Sequence, residues 1–266
     1  MMFKNKLVIS FLVLLVIAGG ITFMFKTMDV FAQNDNKKKV VEDSSFTNIE
    51  VSTNNAEVVI VPTKSSDATV EYEGASTKAK YNFEVDVKGD TLSVHLKQKR
   101  RIFFWFGFHS RDLKLIVNVP EKQYENIQVK SNNGLINVEN LQAEMVLLET
   151  DNGKILLKKV VANSVTVETD NGKIVLDHVE GKIKGTTDNG QISVLTNKLE
   201  WPIDLATDNG SIEMKTESEP ANATIDSESD NGKIIIFGNE IKRSTYGEGK
   251  HLIKLRTDNG SITVTK

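Results

Sequence analysis

Six aspartates recur at nearly regular intervals in the second half of the chain, and each is followed by Asn-Gly. The motifs are Asp151-Asn152-Gly153, Asp170-Asn171-Gly172, Asp188-Asn189-Gly190, Asp208-Asn209-Gly210, Asp230-Asn231-Gly232 and Asp258-Asn259-Gly260. A row of carboxylates could bind Ca²⁺ or another hard cation through oxygen ligands. An Asp oxygen can equally accept a backbone N–H and lock a turn, and Asn-Gly accepts the positive φ of a tight corner. We favour the turn, because the Gly-Gly-x-Gly-x-Asp pattern of calcium-loaded β-rolls is absent and the equivalent positions 54 and 132 hold asparagine.

A second cluster combines aromatic and cationic side chains. Between Lys99 and Arg111 lie Arg100, Arg101, Phe103, Phe104, Trp105, Phe106 and Phe108. Aromatic residues make up only 7% of the chain, so this segment is strongly enriched. Trp and Phe partition into the membrane interface while Arg and Lys meet anionic headgroups, so one prediction is a lipid contact. A hydrophobic flap folded over the domain and a protein-partner site are the alternatives.

Residue types that serve catalysis are scattered along the chain. There is no cysteine, and the four histidines show neither ligand spacing nor a Ser or Cys companion: His95, His109, His178 and His251. The acidic residues belong to the repeat itself, whereas β-helix enzymes usually carry theirs on unique intrusions. We therefore predict no catalytic residue, no cofactor and no metal, with a glycan-acting β-helix enzyme as an alternative.

The Asp-Asn-Gly motifs belong to a longer repeat that begins with Asn132-Asn133-Gly134. The interval from one motif glycine to the next is nearly constant, except that an insertion around Lys242–Lys250 stretches the last one. A Ser or Thr precedes each Asp or its equivalent, Ile stands two positions after each Gly, and another apolar residue stands two further on. A degenerate copy runs from Ile49 to Ile60. This alternation of apolar and polar residues is typical of β-strands, whose side chains repeat with a period of two.

Two all-β architectures are compatible with the repeat. A row of hairpins would place Asn-Gly in each two-residue turn. A β-solenoid would place one repeat in each coil, so that equivalent residues stack about 4.8 Å apart. Stacking explains why isoleucine recurs at one offset, so we favour a solenoid. Residues 61–126 keep the alternation without the motif and predict irregular rungs or a capping sheet.

The N-terminal region predicts a membrane anchor. Residues 7–25 carry no charge, and a helix of this length would span about 28 Å, close to the thickness of a bilayer core. Lys4 and Lys6 precede it, which places residues 1–6 in the cytoplasm and the remainder outside. Cleavage of a signal peptide near Ala32, giving a secreted protein, is the alternative. Residues 26–45 predict a flexible tether, followed by an extracytoplasmic β-repeat domain over residues 46–266.

Four segments resemble the bacterial adhesin-like family DUF4097, and within it the membrane-anchored LiaG-like envelope proteins of Gram-positive bacteria. These segments are SNNGLINV (131–138), TDNGKIVL (169–176), TDNGQISV (187–194) and TDNGSITV (257–264). The resemblance covers about residues 46–266. It implies a right-handed parallel β-helix-like domain on the cell surface, and it carries over no catalytic residue.

The leading functional hypothesis is a non-enzymatic surface scaffold or binding module, engaged in adhesion or in envelope-stress responses. A formal net charge of −3 argues against nucleic acid as a partner. Cell-wall polymer or an envelope protein would meet the polar side chains of the flat solenoid faces, such as Thr166, Glu168, Lys173 and Asp177, and anionic lipid is a further possible partner. Lipid contact through residues 103–108 is a second hypothesis.

Overall fold

The computed structural model describes residues 37–42, 44–74, 80–99 and 113–266. These residues form twenty β-strands and contain no α-helix, so the all-β prediction is confirmed. Within the described part, no helix is long and apolar enough to cross a membrane. The predicted membrane segment at residues 7–25 and the predicted cleavage position near Ala32 lie outside the described residues.

The strands fall into three groups along the chain. The N-terminal group comprises β1 (Lys37–Val41), β2 (Asn48–Asn55), β3 (Glu57–Thr63), β4 (Ala68–Glu73), β5 (Lys80–Lys88), β6 (Thr91–Lys99) and β7 (Lys114–Pro120). The central group comprises β8 (Gln123–Glu139), β9 (Gln142–Lys158), β10 (Val161–Asn171), β11 (Ile174–Asp177), β12 (Glu180–Asn189), β13 (Ile192–Thr196), β14 (Ile203–Asn209) and β15 (Ile212–Thr216). The C-terminal group comprises β16 (Ala223–Asn231), β17 (Ile234–Ile236), β18 (Arg243–Tyr246), β19 (His251–Asn259) and β20 (Ile262–Thr265).

All twenty strands belong to one hydrogen-bonded sheet, which folds into two faces because β8 and β9 pass around the Asn-Gly corner. The first face runs in the order β5-β6-β2-β8-β9-β10-β12-β14-β19-β16-β18. The second face runs in the order β1-β4-β7-β3-β8-β9-β11-β13-β15-β20-β17. Each coil gives one strand to each face, which is the arrangement of a β-solenoid.

Parallel pairing joins equivalent residues of neighbouring coils. Along the first face, eight asparagines pair in one continuous row: Asn55, Asn133, Asn152, Asn171, Asn189, Asn209, Asn259 and Asn231. Along the second face, Ile155 pairs with Ile174 and Ile174 pairs with Ile192. A row of hairpins would instead pair the two strands flanking each Asn-Gly antiparallel, so this pairing excludes the hairpin alternative for these repeats.

The order of the coils in space differs from their order in the chain at both ends. The coil made by β2 and β3 lies between β6–β7 and β8. The coil made by β19 and β20 lies between β14–β15 and β16–β17. Antiparallel strands cover the outer coils, since β18 pairs with β16, β4 with β7 and β5 with β6. The insertion around Lys242–Lys250 therefore supplies an edge strand, and residues 61–126 include the expected capping strands.

The segment expected to be a flexible tether contains one strand of the domain. Lys37–Val41 form β1, which pairs antiparallel with β4 through registers such as Lys39 with Val70. The three lysines of β1 are exposed. Lysine on an edge strand discourages pairing with a further chain, because another strand would have to desolvate the charge. The ordered domain thus extends at least to Lys37.

The inward residues of both faces form one apolar core. Its most regular column consists of isoleucines no more than 5% exposed, namely Ile136, Ile155, Ile174, Ile192, Ile212, Ile262 and Ile234. Burial of one such side chain contributes about 1.5–3 kcal/mol, so the column is a major source of stability. Near the N-terminal end the core contains aromatic side chains. There Phe46 stacks on Tyr124, whose hydroxyl donates to the Pro120 carbonyl at 2.7 Å, and burial raises the pKa of the Tyr124 phenol well above its usual range.

Candidate binding site

The Asn-Gly corner is held by a ladder of side-chain amides. The amide nitrogen of each asparagine donates to the amide oxygen of the neighbouring coil, from Asn171 to Asn152, from Asn189 to Asn171, from Asn209 to Asn189, from Asn259 to Asn209 and from Asn231 to Asn259. The N···O distances lie between 2.9 and 3.1 Å. An amide can donate and accept at once, so identical asparagines satisfy one another along the stack. The ladder accounts for asparagine at this position.

Glycine follows because neighbouring coils approach each other closely there. A Cβ on Gly172, Gly190 or Gly210 would lie far below 3.0 Å from the carbonyl oxygen of the preceding coil's glycine, a separation that real Cβ atoms essentially never show. The obstacle is backbone, which cannot rotate away as a side chain can. The close approach of neighbouring coils therefore requires glycine at this corner.

The hydroxyl residue before each Asp bonds to the same carbonyl. Thr187, Thr207 and Thr257 donate to the glycine carbonyl of the adjacent coil at 3.3, 3.0 and 2.8 Å. These threonines are no more than 3% exposed, so the bond satisfies both a buried hydroxyl and a carbonyl. Thr150 is equally buried, yet its Oγ1 has no hydrogen-bond partner. Hydroxyl, amide and glycine therefore act together as a coil-to-coil contact.

The predicted reason for Asn-Gly was wrong for the six Asp-Asn-Gly motifs, although it holds at Asn133-Gly134, where Gly134 has a φ of 123°. We expected the pair to supply the positive φ of a tight corner, but the glycines of the six Asp-Asn-Gly motifs are not among the described residues with positive φ. Positive φ occurs at the opposite corner, at Asn140, Lys159 and His178, with values of 55°, 51° and 54°. Each of these residues lies in a two-residue connection between the second face and the first. In the six Asp-Asn-Gly motifs the Asn-Gly pair thus serves stacking, and the positive-φ turn of these coils is made at the opposite corner.

The aspartates of the motif line the outside of the Asn-Gly corner. Asp151 accepts a hydrogen bond from the Asn132 amide at 2.8 Å, so the first carboxylate of the row continues an amide contact from the coil before it. Among the described residues, no group of three or more His, Cys, Asp or Glu side chains is arranged to hold a metal ion. The cation interpretation gains no support from this geometry.

The described histidines have separate surroundings. His95 Nε2 lies 3.1 Å from the Ser93 hydroxyl, and His178 Nδ1 contacts the carboxylate of Asp177, the residue before it. His251 lies at the start of β19. The remaining histidine, His109, belongs to a part of the chain that the structure does not describe.

The aromatic and cationic cluster, Arg100 to Phe108, also lies outside the described residues. Its flanking strands can be placed. β6 ends at Lys99 on the first face, and β7 begins at Lys114 on the second. Since β6 pairs with β2 and β7 with β3, these ends correspond to the point where other coils make the Asn-Gly corner. The predicted lipid contact stays a prediction.

The corner opposite Asn-Gly changes character along the solenoid. Its connections are two residues long after β8, β9 and β11. After β13 and β15 they lengthen to six residues, 197–202 and 217–222. These two longer connections lie near each other, because Ile203 at the start of β14 and Ala223 at the start of β16 both pair with β19.

Two adjoining grooves lie along the longer connections. The smaller, of about 250 Å³, is lined by His178, Glu180, Thr196, Asn197, Lys198, Glu200 and Trp201. The larger, of about 500 Å³, is lined by Lys198, Leu199, Glu200, Trp201, Ser218, Glu219, Pro220, Ala221, Asn222, Lys250 and His251. Trp201 belongs to both grooves and is 45% exposed. An aromatic ring this accessible, bordered by donors and acceptors, is the usual composition of a ligand site.

Sequence reasoning did not single out this corner, although the repeat carries a trace of it. The interval between motif glycines is shortest from Gly172 to Gly190, and it lengthens from there to Gly210 and again to Gly232. The first additional residues fall in the connection 197–202, and the later ones fall in the connection 217–222 and at the start of β16. Trp201 also stands outside the apolar columns. When extra residues interrupt a regular repeat and include a tryptophan, the sequence therefore indicates a candidate ligand-binding site.

Comparison with known proteins identifies the family of the chain. The family profile described as Toastrack DUF4097 matches residues 46–265. A candidate cell adhesion protein from Clostridium sporogenes is similar at 12% identity, covering 88% of this chain and 99% of its own, with a TM-score of 0.43. A candidate adhesin from Bacteroides fragilis is similar at 11% identity, covering 86% and 97%, with a TM-score of 0.46. No protein with a curated description matches. By the profile match over most of its length, the chain belongs to the Toastrack DUF4097 family.

Proposed function

We propose that this chain is a non-enzymatic binding module that stands outside the cytoplasm and is held at the membrane by residues 7–25. The observation that carries the proposal is the division of the solenoid surface. The Asn-Gly corner is locked coil to coil, whereas the opposite corner lengthens, opens two grooves and exposes Trp201. A rigid scaffold that presents variable connections at one edge is a common design for recognition.

The acidic residues of the grooves favour binding over catalysis. The grooves lie away from the aspartate row and are lined by Glu180, Glu200 and Glu219. An enzyme would need its catalytic carboxylates in such a groove. All three are exposed, and Glu200 lies 3.4 Å from the ammonium group of Lys198. A glycosidase usually requires one desolvated carboxyl as its acid catalyst. Exposed and ion-paired carboxylates are better suited to accepting hydrogen bonds from a ligand.

The charges of the outer faces support a partner that is not a strong polyanion. Lys130 pairs with Glu149 at 2.7 Å across β8 and β9, and near the C-terminal end Arg243 lies 3.7 Å from Asp226. Such alternating pairs leave no extended basic stripe on the described first face. Cell-wall glycan or an envelope protein therefore suits this face better than nucleic acid.

Sedimentation with insoluble envelope material tests the proposal. The full-length chain, purified in a detergent without a sugar headgroup, is mixed with purified cell-wall material and, separately, with membrane vesicles. We expect retention on the cell-wall material, with a soluble protein of similar size and charge as the control. Loss of the chain to the supernatant in both mixtures would contradict the binding role.

A lipid contact through residues 103–108 is a second candidate, favoured by the position of β1. The ends of β6 and β7 that flank the aromatic segment belong to the same end of the solenoid as β1, since β7 pairs with β4 and β4 with β1. β1 exposes Lys37, Lys38 and Lys39 and follows the predicted anchor. A basic strand beside a membrane span would meet anionic headgroups, each lysine contributing about 1 kcal/mol.

Liposome co-sedimentation tests this candidate. The soluble fragment should begin at residue 33, because a start at residue 40 would remove the lysines of β1. We expect the fragment to pellet with anionic vesicles and the Trp105→Ala/Phe106→Ala variant to stay in solution. Equal pelleting of both would assign the contact to β1 alone, and pelleting of neither would remove the lipid hypothesis.

A further inference from the structure

We infer that the corner around Trp201 binds a neutral oligosaccharide, one of whose sugar rings stacks on the indole. The inference rests on the proposed binding role and adds the chemical class of the ligand and its contact residues. No other described region combines an exposed tryptophan with two adjoining grooves.

The backbone that carries Trp201 is anchored on both sides although the ring is accessible. Its neighbours Leu199 and Ile203 are only 2% and 4% exposed and insert into the core on either side. Pro202 follows directly and restricts the backbone of Trp201 to extended conformations. An anchored backbone reduces the conformational freedom that this connection loses when a ligand covers the ring, so the position is suited to stacking. The apolar C–H face of a pyranose matches such a surface.

Buried hydroxyls hold the two connections that form the grooves. Thr216 is fully buried, and its Oγ1 contacts the carbonyls of Asn197 and Ser218 at 3.1 and 3.0 Å. One side chain thereby links the connection after β13 to the connection after β15. Thr196 Oγ1 donates to the Lys198 carbonyl at 3.1 Å. The grooves are thus formed before any ligand binds, which lowers the entropic cost of binding.

The polar groups of the grooves offer donors and acceptors side by side. Acceptors come from Glu180 and Glu219, and donors come from Lys250. Asn222 is oriented by the backbone N–H of Lys250, which donates to its Oδ1 at 2.9 Å. A sugar hydroxyl donates and accepts at once, so this mixture suits a polyhydroxylated ligand.

The balance of charge selects against a polyanion. Three glutamates face two lysines along the grooves, and one of those lysines, Lys198, already pairs with Glu200 at 3.4 Å. A phosphate-rich polymer would meet uncompensated carboxylates, so a neutral glycan is preferred. The grooves adjoin at Trp201 and extend to both sides of it, so they suit a short linear chain of sugars better than one ring.

Titration of the full-length chain with chitotetraose and cellotetraose tests the inference. The chain has two tryptophans, so a Trp105→Phe variant leaves Trp201 as the sole indole fluorophore. We expect saturable quenching or a blue shift of its emission with at least one probe. Calorimetry should then show binding weakened about tenfold or more by Trp201→Ala, but only a few-fold by Trp201→Phe, which keeps an aromatic face.

A blocking variant keeps the test decisive if Trp201→Ala folds poorly. Ser218 is exposed at the wall of the larger groove, so Ser218→Tyr should occlude the groove without disturbing the core. It should lose affinity to a similar extent, whereas Trp105→Ala should bind as the unaltered chain does. The inference would be overturned if neither oligosaccharide bound at millimolar concentration, or if the Trp201→Ala variant and the unaltered chain bound equally well. It would also be overturned if a proline-rich peptide, added as a third probe, bound at Trp201 and the oligosaccharides did not.

The two proposals fail in different ways. If the chain and its Trp201→Ala variant both sediment with cell-wall material while neither oligosaccharide binds, the binding role stands and the glycan site at Trp201 is wrong. If the chain neither sediments nor binds either probe, both proposals are wrong.

Discussion

The two corners of the solenoid are built from the same coils but obey different constraints. At the Asn-Gly corner, amide ladders, hydroxyl bonds and closely approaching glycines join each coil to the next. At the opposite corner, two-residue connections turn through a positive-φ residue, and later connections lengthen to six residues. The second corner lengthens to six residues while β14 and β16 both keep their parallel pairing with β19. Repetition therefore confines variation, and with it the candidate site, to one edge.

Insertion of one glycine should have the most different effects on stability at the two corners. Between Asn209 and Gly210 the insertion would misalign the amide ladder and the glycine contact, and we expect a loss of about 3 kcal/mol or more in the free energy of unfolding. Between Ser218 and Glu219 it would lengthen an exposed connection, and we expect a loss of less than about 0.6 kcal/mol. Urea unfolding followed by circular dichroism measures both. Similar losses would mean that the corners are equivalent.

Substitution of a single glycine should reproduce the contrast. Gly190→Ala would drive a Cβ into the Gly172 carbonyl, and we expect a loss of about 3 kcal/mol. Gly238 lies in the connection after β17 with φ of 82°, and a Cβ added there would meet no atom within 4 Å. Gly238→Ala should therefore cost only about 1 kcal/mol, through its backbone conformation. Thermal and urea unfolding compare the two, and a larger loss at Gly238 would refute the stacking explanation.

Two buried threonines at the Asn-Gly corner should respond in opposite directions to valine. Thr207→Val removes the hydrogen bond to the Gly190 carbonyl, and we expect a loss of about 1 kcal/mol. Thr150→Val removes a buried hydroxyl that has no partner, so stability should stay the same or rise by up to about 1 kcal/mol. The same unfolding measurements apply to both variants. Equal losses of stability would mean that these side chains contribute through steric packing and not through hydrogen bonds.

The amide ladder should contribute less per residue, because its side chains are exposed. Asn209→Ala removes the bonds to Asn189 and Asn259, each 3.0 Å long, and we expect a total loss of about 1 kcal/mol. Asp208→Ala is the matched control, since this neighbour is exposed too, and its effect should stay within about 0.5 kcal/mol. A larger loss of stability for Asp208→Ala than for Asn209→Ala would mean that the aspartates, and not the asparagines, stabilise this corner.

Much of the fold could be predicted from the repeat. Alternation of apolar residues around Ile155 and Ile174 indicates strands with one buried side, and recurrence of isoleucine at one offset indicates stacking of equivalent positions. The Asn-Gly pairs do lie at a corner of each coil, but the predicted positive φ occurs at Gly134 and at none of the glycines of the six Asp-Asn-Gly motifs. Positive φ is a local property that sequence suggests, whereas the obstacle at Gly190 is the carbonyl of Gly172, which belongs to another coil.

The all-β class, the buried columns and the family follow from the order of residues alone, because they depend on residue types at fixed spacing. The order of the end coils, the pairing of Lys37–Val41 with β4 and the grooves at Trp201 emerge only when the chain is folded. These features depend on which distant segments lie side by side. The hydrogen-bonding groups of a strand edge are the same in every coil, so the one-dimensional pattern does not specify which coil takes which neighbour.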